Sequence, residues 1–415
     1  MLPVPVLAGP ADPPALTDRW RAAAVATLVG VVAGVLRLWR LDHPASLVFD
    51  ETYYAKDAWA ILRTGVERSW AEGSDELVLA GDLSGLSDEA KFASHPPMGK
   101  WVIALGEAVG GLTPWGWRLG VAVLGTLAAV VMVYLARRVT RSTALGGLAG
   151  LLVALDGLAI VTSRIAVLDG LLMFWVVLAA ALLVRDRDSA RTAMARSSTQ
   201  PPGPPLWRPW RVLMGAALGL ACATKWSGFP VLAVFGVLTV VWQAGALAQA
   251  RAPRPAVRAL LVDAPVAFVT VVGSALAAYL ATWWAWFATP DGYARQWAAD
   301  NPPSGLLADL VPDALRSLWH YHALAYDLLS NLDATHTWQS SPEGWLVLER
   351  PVLFFRDKST SGTQQCPDTE CVADILALGT PVIWWLGVAA LLMAFWRAAG
   401  RDDWRGWLVL GGIAA

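Results

Sequence analysis

Eight long apolar runs, with arginine gathered in every second gap between them, constrain this chain more than any other feature. The runs fall near residues 22–39, 116–136, 144–161, 165–184, 211–224, 228–246, 260–287 and 380–396. Lipid offers no partner for a free backbone N–H or C=O, so about 18–20 apolar residues cross a bilayer as a helix. The fifth run is short and the seventh long, so their ends are the least defined. A ninth run, Trp407–Ala415, is too short to span, and the chain is expected to stop inside that helix. The expected fold is an all-α polytopic membrane protein. Only 16% of the residues are charged, against about a quarter in a soluble domain. A formal net charge of −1 argues against a nucleic-acid partner.

Arginine sets the expected orientation. Arg19 and Arg21 precede the first run, and Arg137, Arg138 and Arg141 follow the second. Arg185, Arg187, Arg191, Arg196, Arg208 and Arg211 separate the fourth from the fifth. Arg251, Arg254 and Arg258 separate the sixth from the seventh, and Arg397, Arg401 and Arg405 follow the eighth. All fall on one side, which the positive-inside rule makes the cytoplasm. No small-residue cleavage site precedes Arg37 and Arg40, so the first run reads as an uncleaved anchor. The expected organisation is a cytoplasmic segment 1–21, a first span 22–39, an outer loop 40–114, spans two to seven over 115–287, a second outer loop 288–379, and an eighth span with the start of a ninth over 380–415.

The two outer loops each carry 12 Asp/Glu, against 6 Lys/Arg in the first and 5 in the second, and they hold all 5 His. Trp clusters at their edges suit the headgroup region. The chemistry is therefore expected outside. Cys366 and Cys371 lie in the second loop, where an oxidising compartment allows a disulfide. Zinc needs about four ligands and finds no second pair there. Cys222, inside a span, reads as packing. The segment "ARSSTQPPGPPLWRPW" reads as a Pro-rich cytoplasmic linker.

In "SLVFDETYYAKDAW" two adjacent acids, Asp50 and Glu51, precede a helical stripe of Tyr54, Ala58, Ile61 and Leu62. Two readings stay open: Asp50 caps a surface-lying helix beside a solvated Glu51, or the pair does chemistry. Cations gather at the same membrane surface. Lys100 follows His95 in "SHPPMGKW", Arg118 opens the second span, Arg164 sits at the outer end of the fourth run, and Lys225 lies at an outer turn. Asp169 lies deeper, where an acid is costly unless paired or functional. It reads first as a salt bridge or hydrogen bond that orders the bundle. A carboxylate can take the proton of an attacking hydroxyl while cations hold a phosphate whose lipid tail stays in the bilayer. A phosphate leaving group needs no protonating acid, unlike the sugar leaving group of a glycosidase.

The patches "FDETYYAKDAW", "HPPMGKW", "GWRLGVAVLG", "SRIAVLDGLLMF", "ATKWSG" and "GTPVIWW", in this order, resemble the bacterial protein O-mannosyltransferase family over nearly the whole chain. The resemblance implies a GT-C-type, inverting membrane glycosyltransferase with surface-lying helices in its two extracytoplasmic loops. It would move mannose from a polyprenyl-phosphate-mannose lipid to Ser/Thr hydroxyls of secreted proteins, met alongside the secretion translocon. It implies Asp50 as base, with Glu51 orienting the acceptor or a sugar hydroxyl. Arg118, Arg164, Lys225 and Lys100 are the candidate phosphate ligands. Tyr53, Tyr54, His95, His322 and Trp338 are candidates for acceptor or sugar. The lipid-linked sugar phosphate is a substrate, and no cofactor or metal is assigned. Two other readings remain at this stage: transfer of a lipid-phosphate-linked sugar to a lipid or cell-wall glycan, and a transporter. Repeated halves and broken midplane helices, which favour a transporter, are not visible in the sequence.

Overall fold

The computed structural model describes residues 16–196, 208–302, 310–333, 337–360, 370–401 and 403–414. The helices in chain order are α1 (Leu16–Leu38), α2 (Glu51–Thr64), α3 (Ser74–Leu79), α4 (Met98–Gly110), α5 (Pro114–Thr140), α6 (Thr143–Leu155), α7 (Gly157–Arg164), α8 (Leu168–Ala195) and α9 (Pro209–Thr224). There follow α10 (Gly228–Gln249), α11 (Pro255–Arg258), α12 (Ala264–Thr282), α13 (Trp284–Ala288), α14 (Trp297–Asp300), α15 (Asp313–Ser330), α16 (Pro342–Trp345), α17 (Pro381–Arg401) and α18 (Trp404–Ala414). A π-helical turn, Ala259–Asp263, joins α11 to α12.

Among the described residues, six helical segments are long and apolar enough to cross a membrane: α1, α5, α8, α10, α17, and α11 with α12 as one segment. The run read as a single third helix is two, α6 and α7, bent by 58° at Asp156. Counted as one span, they make seven. Asp156 causes the break. Its backbone is extended, at φ −69° and ψ 128°, and its Oδ2 accepts the Ala159 N–H at 3.0 Å to start α7 afresh. Its Oδ1 accepts the Thr380 N–H and the Trp384 Nε1–H, each at 2.9 Å, which ties the start of α17 to the elbow. The short fifth run is α9, only 16 residues long, which runs along α8 from Arg208, paired with Asp186, to Lys225, paired with Asp169, and packs against α12 as well.

Lipid is as apolar as leucine, so helix association inside a bilayer rests on close packing rather than on escape from water. The α9–α12 seam shows this: a side chain at Gly219 would strike the Ala275 carbonyl. The α4–α5 seam matters more for function. Gly106 lies against Gly116 O, and Gly120 against Val102 O. This brings the outer-loop helix α4 onto the start of α5, where Thr113 caps the helix and Pro114 fits its first turn. Arg118 is one turn further on.

The two loops read as outer also contain strands, which the all-α expectation omitted. In the first loop β1 (Arg68–Trp70) pairs antiparallel with β2 (Leu86–Ala90). In the second, β3 (Val352–Thr360) pairs antiparallel with β4 (Glu370–Ala377). Arg356 and Asp374, opposite one another, form a two-bond ion pair at 2.8 and 2.6 Å. Phe354 of β3 stacks on Phe49 with centroids 4.5 Å apart, so the second loop folds over the residue before Asp50.

Candidate active site

Asp50 and Glu51 are neighbours in sequence and opposites in environment. Helix α2 starts at Glu51 because Ala55, Ala58 and Ile61 supply a buried stripe, and it stops at Gly65, whose φ of +84° suits glycine. Asp50 occupies the N-cap position, yet its carboxylate makes no cap hydrogen bond. The Tyr54 hydroxyl stands close by and favours its ionised form. Burial, and then the charge of Asp169, raise the pKa of Asp50, while Lys225 and the Tyr54 hydroxyl oppose them. Tyr54 is pushed above the ordinary phenol range, by burial first and Asp50 next, so it remains a protonated donor.

Glu51 is fully inaccessible. Its Oε1 accepts from Arg118 Nε and the Ala166 N–H, both at 2.8 Å. Its Oε2 accepts from Arg118 Nη2 at 2.8 Å and the Val48 N–H at 2.9 Å. Arg118 further donates from Nη1 to the carbonyls of Leu41 (3.1 Å) and Pro44 (2.9 Å), and from Nη2 to Ser46 O (2.8 Å). A guanidinium has five N–H donors, and all of them are spent. The pair pins the segment from Leu41 to Glu51 onto α5 and the α7–α8 junction. It leaves Arg118 no donor for a phosphate and Glu51 no obvious acceptor site for a substrate.

Of the four cations singled out in the sequence, Lys225 is the one whose charge acts on Asp50. Its Nζ lies 2.9 Å from Asp169 Oδ1, and both side chains are partly exposed, at 33% and 54%. Asp169, in the first turn of α8, thus makes the salt bridge expected of it. One ammonium hydrogen serves that bond, and two remain. His95 joins the same group: its ring is tilted against Tyr54, with centroids 6.3 Å apart. Burial first, then Lys225 and Lys100, lower its pKa to about 4, so at neutral pH the imidazole is uncharged. Asp50, Tyr54, His95, Asp169 and Lys225 form the cluster.

The other candidates lie elsewhere. Lys100 is buried, paired with Glu67 and bonded to His95 O at 3.0 Å. Arg164 closes the end of α1, donating from Nη1 to Leu36 O (2.7 Å) and Trp39 O (2.9 Å) and from Nη2 to Arg40 O (3.1 Å). Tyr53 is exposed, with Lys91 Nζ 5.7 Å above its ring. His322 donates from Nδ1 to Leu318 O at 2.6 Å, so its Nε2 accepts from the Tyr279 hydroxyl. It also stacks on Trp226 at 5.8 Å. Trp338 lies under the Arg356 guanidinium, 5.6 Å from ring centroid to charge. Cys371 is disulfide-bonded, and Cys366 falls outside the described residues. The sequence reading missed Trp226 and Tyr279, which connect Lys225 to His322. Trp226 adjoins Lys225 in the chain, but the abundance of tryptophan at membrane edges hid that signal.

Residues 27–249 match the family model described as dolichyl-phosphate-mannose-protein mannosyltransferase. Residues 314–401 match the C-terminal four-TMM region of protein-O-mannosyltransferase. The chain belongs to the protein O-mannosyltransferase family. A polyprenol-phosphate-mannose–protein mannosyltransferase of Mycobacterium tuberculosis is 36% identical over 95% of this chain and 74% of its own length. That of Corynebacterium glutamicum is 32% identical over 95% of this chain and 74% of its own. The solved Pmt1–Pmt2 protein O-mannosyltransferase complex of S. cerevisiae, bound to the sugar donor, aligns with 71% of this chain and 38% of that one. The TM-score is 0.50 at 19% identity, a likeness of fold. This protein O-mannosyltransferase is mostly helical and multi-span, with the GT-C-type architecture that the sequence resemblance implies.

Proposed function

We propose that this protein O-mannosyltransferase moves a mannosyl group from a polyprenyl-phosphate-mannose lipid to Ser/Thr hydroxyls of proteins, with Asp50 as the base. The observation that carries this reading is the division within the acid pair. Asp50 is uncapped and desolvated beside Lys225, whereas Glu51 is saturated by Arg118 and two backbone N–H groups. A serine or threonine hydroxyl is neutral at pH 7 and attacks weakly. As its Oγ bonds to the anomeric carbon, its proton passes to Asp50 and the bond from that carbon to the phosphate oxygen breaks. The electron pair leaves on the phosphate oxygen, which needs no proton. Attack from the face opposite the phosphate inverts the carbon, so a β-linked donor gives an α-mannoside. Tyr54 steadies one carboxylate oxygen of Asp50 and leaves the other to face the acceptor. Glu51 acts as a positioning residue through Arg118.

Lys225 holds the donor phosphate with its two remaining ammonium hydrogens while Asp169 orients it. A charge-assisted hydrogen bond contributes about 1.5–3 kcal/mol, so Lys225→Ala is expected to lower donor kcat/KM by about 10–100-fold. Peptide KM should hardly move. An unchanged donor kcat and KM would remove Lys225 from this role. The deciding experiment is transfer from a synthetic mannosyl-phosphoryl lipid to a Ser/Thr-rich peptide. Transfer to a glycan or lipid acceptor with the peptide left untouched would instead support the alternative acceptor class.

In the proposed orientation the N-terminus is cytoplasmic, the Asp50 loop faces outward, and acceptors arrive as they leave the secretion translocon. Cysteine introduced at exposed Ser84 should react with an impermeant thiol reagent in intact cells, and cysteine at exposed Thr140 should not. The native Cys222 is buried and does not confuse the readout. Labelling at position 140 from outside would reverse the orientation.

A further inference from the structure

Where α1 meets α7, an open hollow of about 550 Å³ is lined by Trp39, Arg40, His43, Pro44 and Arg164. None of the residues of the Asp50 cluster lines it. The Arg40 side chain is exposed and makes no hydrogen bond or ion pair among the described residues. Arg164 presents its edge to the hollow while its Nη groups hold the end of α1. His43 stands 3.9 Å from Asp42, an acid of the same short turn. Two arginines therefore face one carboxylate, an excess of positive charge at a membrane edge.

The surface leading into the hollow is apolar. Leu28, Val31, Val35 and Leu38 are 65%, 57%, 57% and 40% exposed, and their spacing of three, four and three residues puts them on one face of α1. Trp39, 71% exposed, ends that face at the level where indole favours the headgroup region. A free phosphate would use the cations and ignore this face. A lipid would use both.

We propose that this hollow binds the phosphate of an anionic phospholipid from the leaflet on the Asp50 side, with the acyl chains lying along the exposed face of α1. The bound headgroup steadies the turn from Arg40 to Ser46, whose carbonyls at Leu41, Pro44 and Ser46 hold Arg118. The lipid is thus a structural ligand, distinct from the sugar donor.

The test uses the purified chain, delipidated in neutral detergent and offered phosphatidylglycerol or phosphatidylcholine, with bound lipid counted by native mass spectrometry. One phosphatidylglycerol should be retained in preference to phosphatidylcholine. A basic residue near an anionic lipid surface contributes a factor of about five, so Arg40→Gln should weaken retention by about fivefold. Arg164→Gln also removes the bonds that close α1, so the exposed Arg40 carries the test. Equal retention of both lipids, or unchanged phosphatidylglycerol binding in Arg40→Gln, would overturn the proposal. Full displacement by millimolar inorganic phosphate would show a simple anion site and overturn the lipid. Saturating polyprenyl phosphate should leave phosphatidylglycerol bound, and displacement would place the donor's phosphate here and overturn the separation of the two sites.

Discussion

Asp50→Asn is expected to lower turnover by about 10²–10⁴-fold, the usual contribution of a general base, with donor KM close to parental. The substitution keeps the shape of the side chain and removes its basicity. A structural reading of Asp50 predicts a different pattern, and the sign of its pKa shift separates the two. Burial and Asp169 raise the pKa in the folded chain above the ordinary 3.8. The folded state therefore binds the proton more tightly than the unfolded state. That contribution to stability is full below pH 3.8 and is lost as pH rises through the raised value. At pH 7 the ionised carboxylate costs folding free energy, so Asp50→Asn should melt no lower than the parent while losing activity. The acidic limb of the parental kcat/KM profile should lie above 3.8 and be absent from the residual activity of the variant. Parental transfer rates in Asp50→Asn would end its assignment as base.

Arg118→Ala is expected to act on folding before it acts on the donor. Removing one partner of a buried ion pair costs about 3–5 kcal/mol, because the other charge is left without compensation. Here Glu51 would be stranded without solvent, and the carbonyls of Leu41, Pro44 and Ser46 would lose their donor. Yield from membranes and melting temperature in detergent should both fall steeply. Arg118→Lys should recover only part of the loss, since an ammonium has three donors for a site that uses five. The reading of Arg118 as a phosphate fork predicts something else: a normally folded Arg118→Ala protein with a raised donor KM. That result would return Arg118 to the donor site.

The multi-span character was legible because lipid imposes one rule on long stretches of chain, and each residue adds to the same signal. The first outer loop's acid pair was legible as a place. What holds each acid was not, because the saturation of Glu51 depends on residues 67 and 115 positions away, Arg118 and Ala166. The same limit applied to the cations. Arg118, Arg164, Lys100 and Lys225 look alike in sequence, and only their partners tell them apart: Glu51, the carbonyls ending α1, Glu67 and Asp169. The elbow at Asp156 stayed hidden inside an apolar run, since one acid scarcely changes the average hydropathy of its window. Hairpin β3–β4 escaped because β3 shows no alternation, with four apolar residues followed by five polar ones, in a loop that the surface-helix expectation had already claimed.

The two hydrogen bonds that Asp156 accepts from Thr380 and Trp384 also bear on biogenesis. They join partners 224 and 228 residues apart. At about 5–20 residues per second, the ribosome needs more than ten seconds to supply the second set of donors after the first has entered the bilayer. Throughout that interval Asp156 Oδ1 must be satisfied by water or by headgroups, so the elbow is held near the membrane surface as a half-finished joint. Insertion of α17 then closes it. Helix α17 thereby acts as a latch on the assembly of the earlier spans, and the order of synthesis, rather than the strength of any single contact, decides when the elbow acquires its final shape.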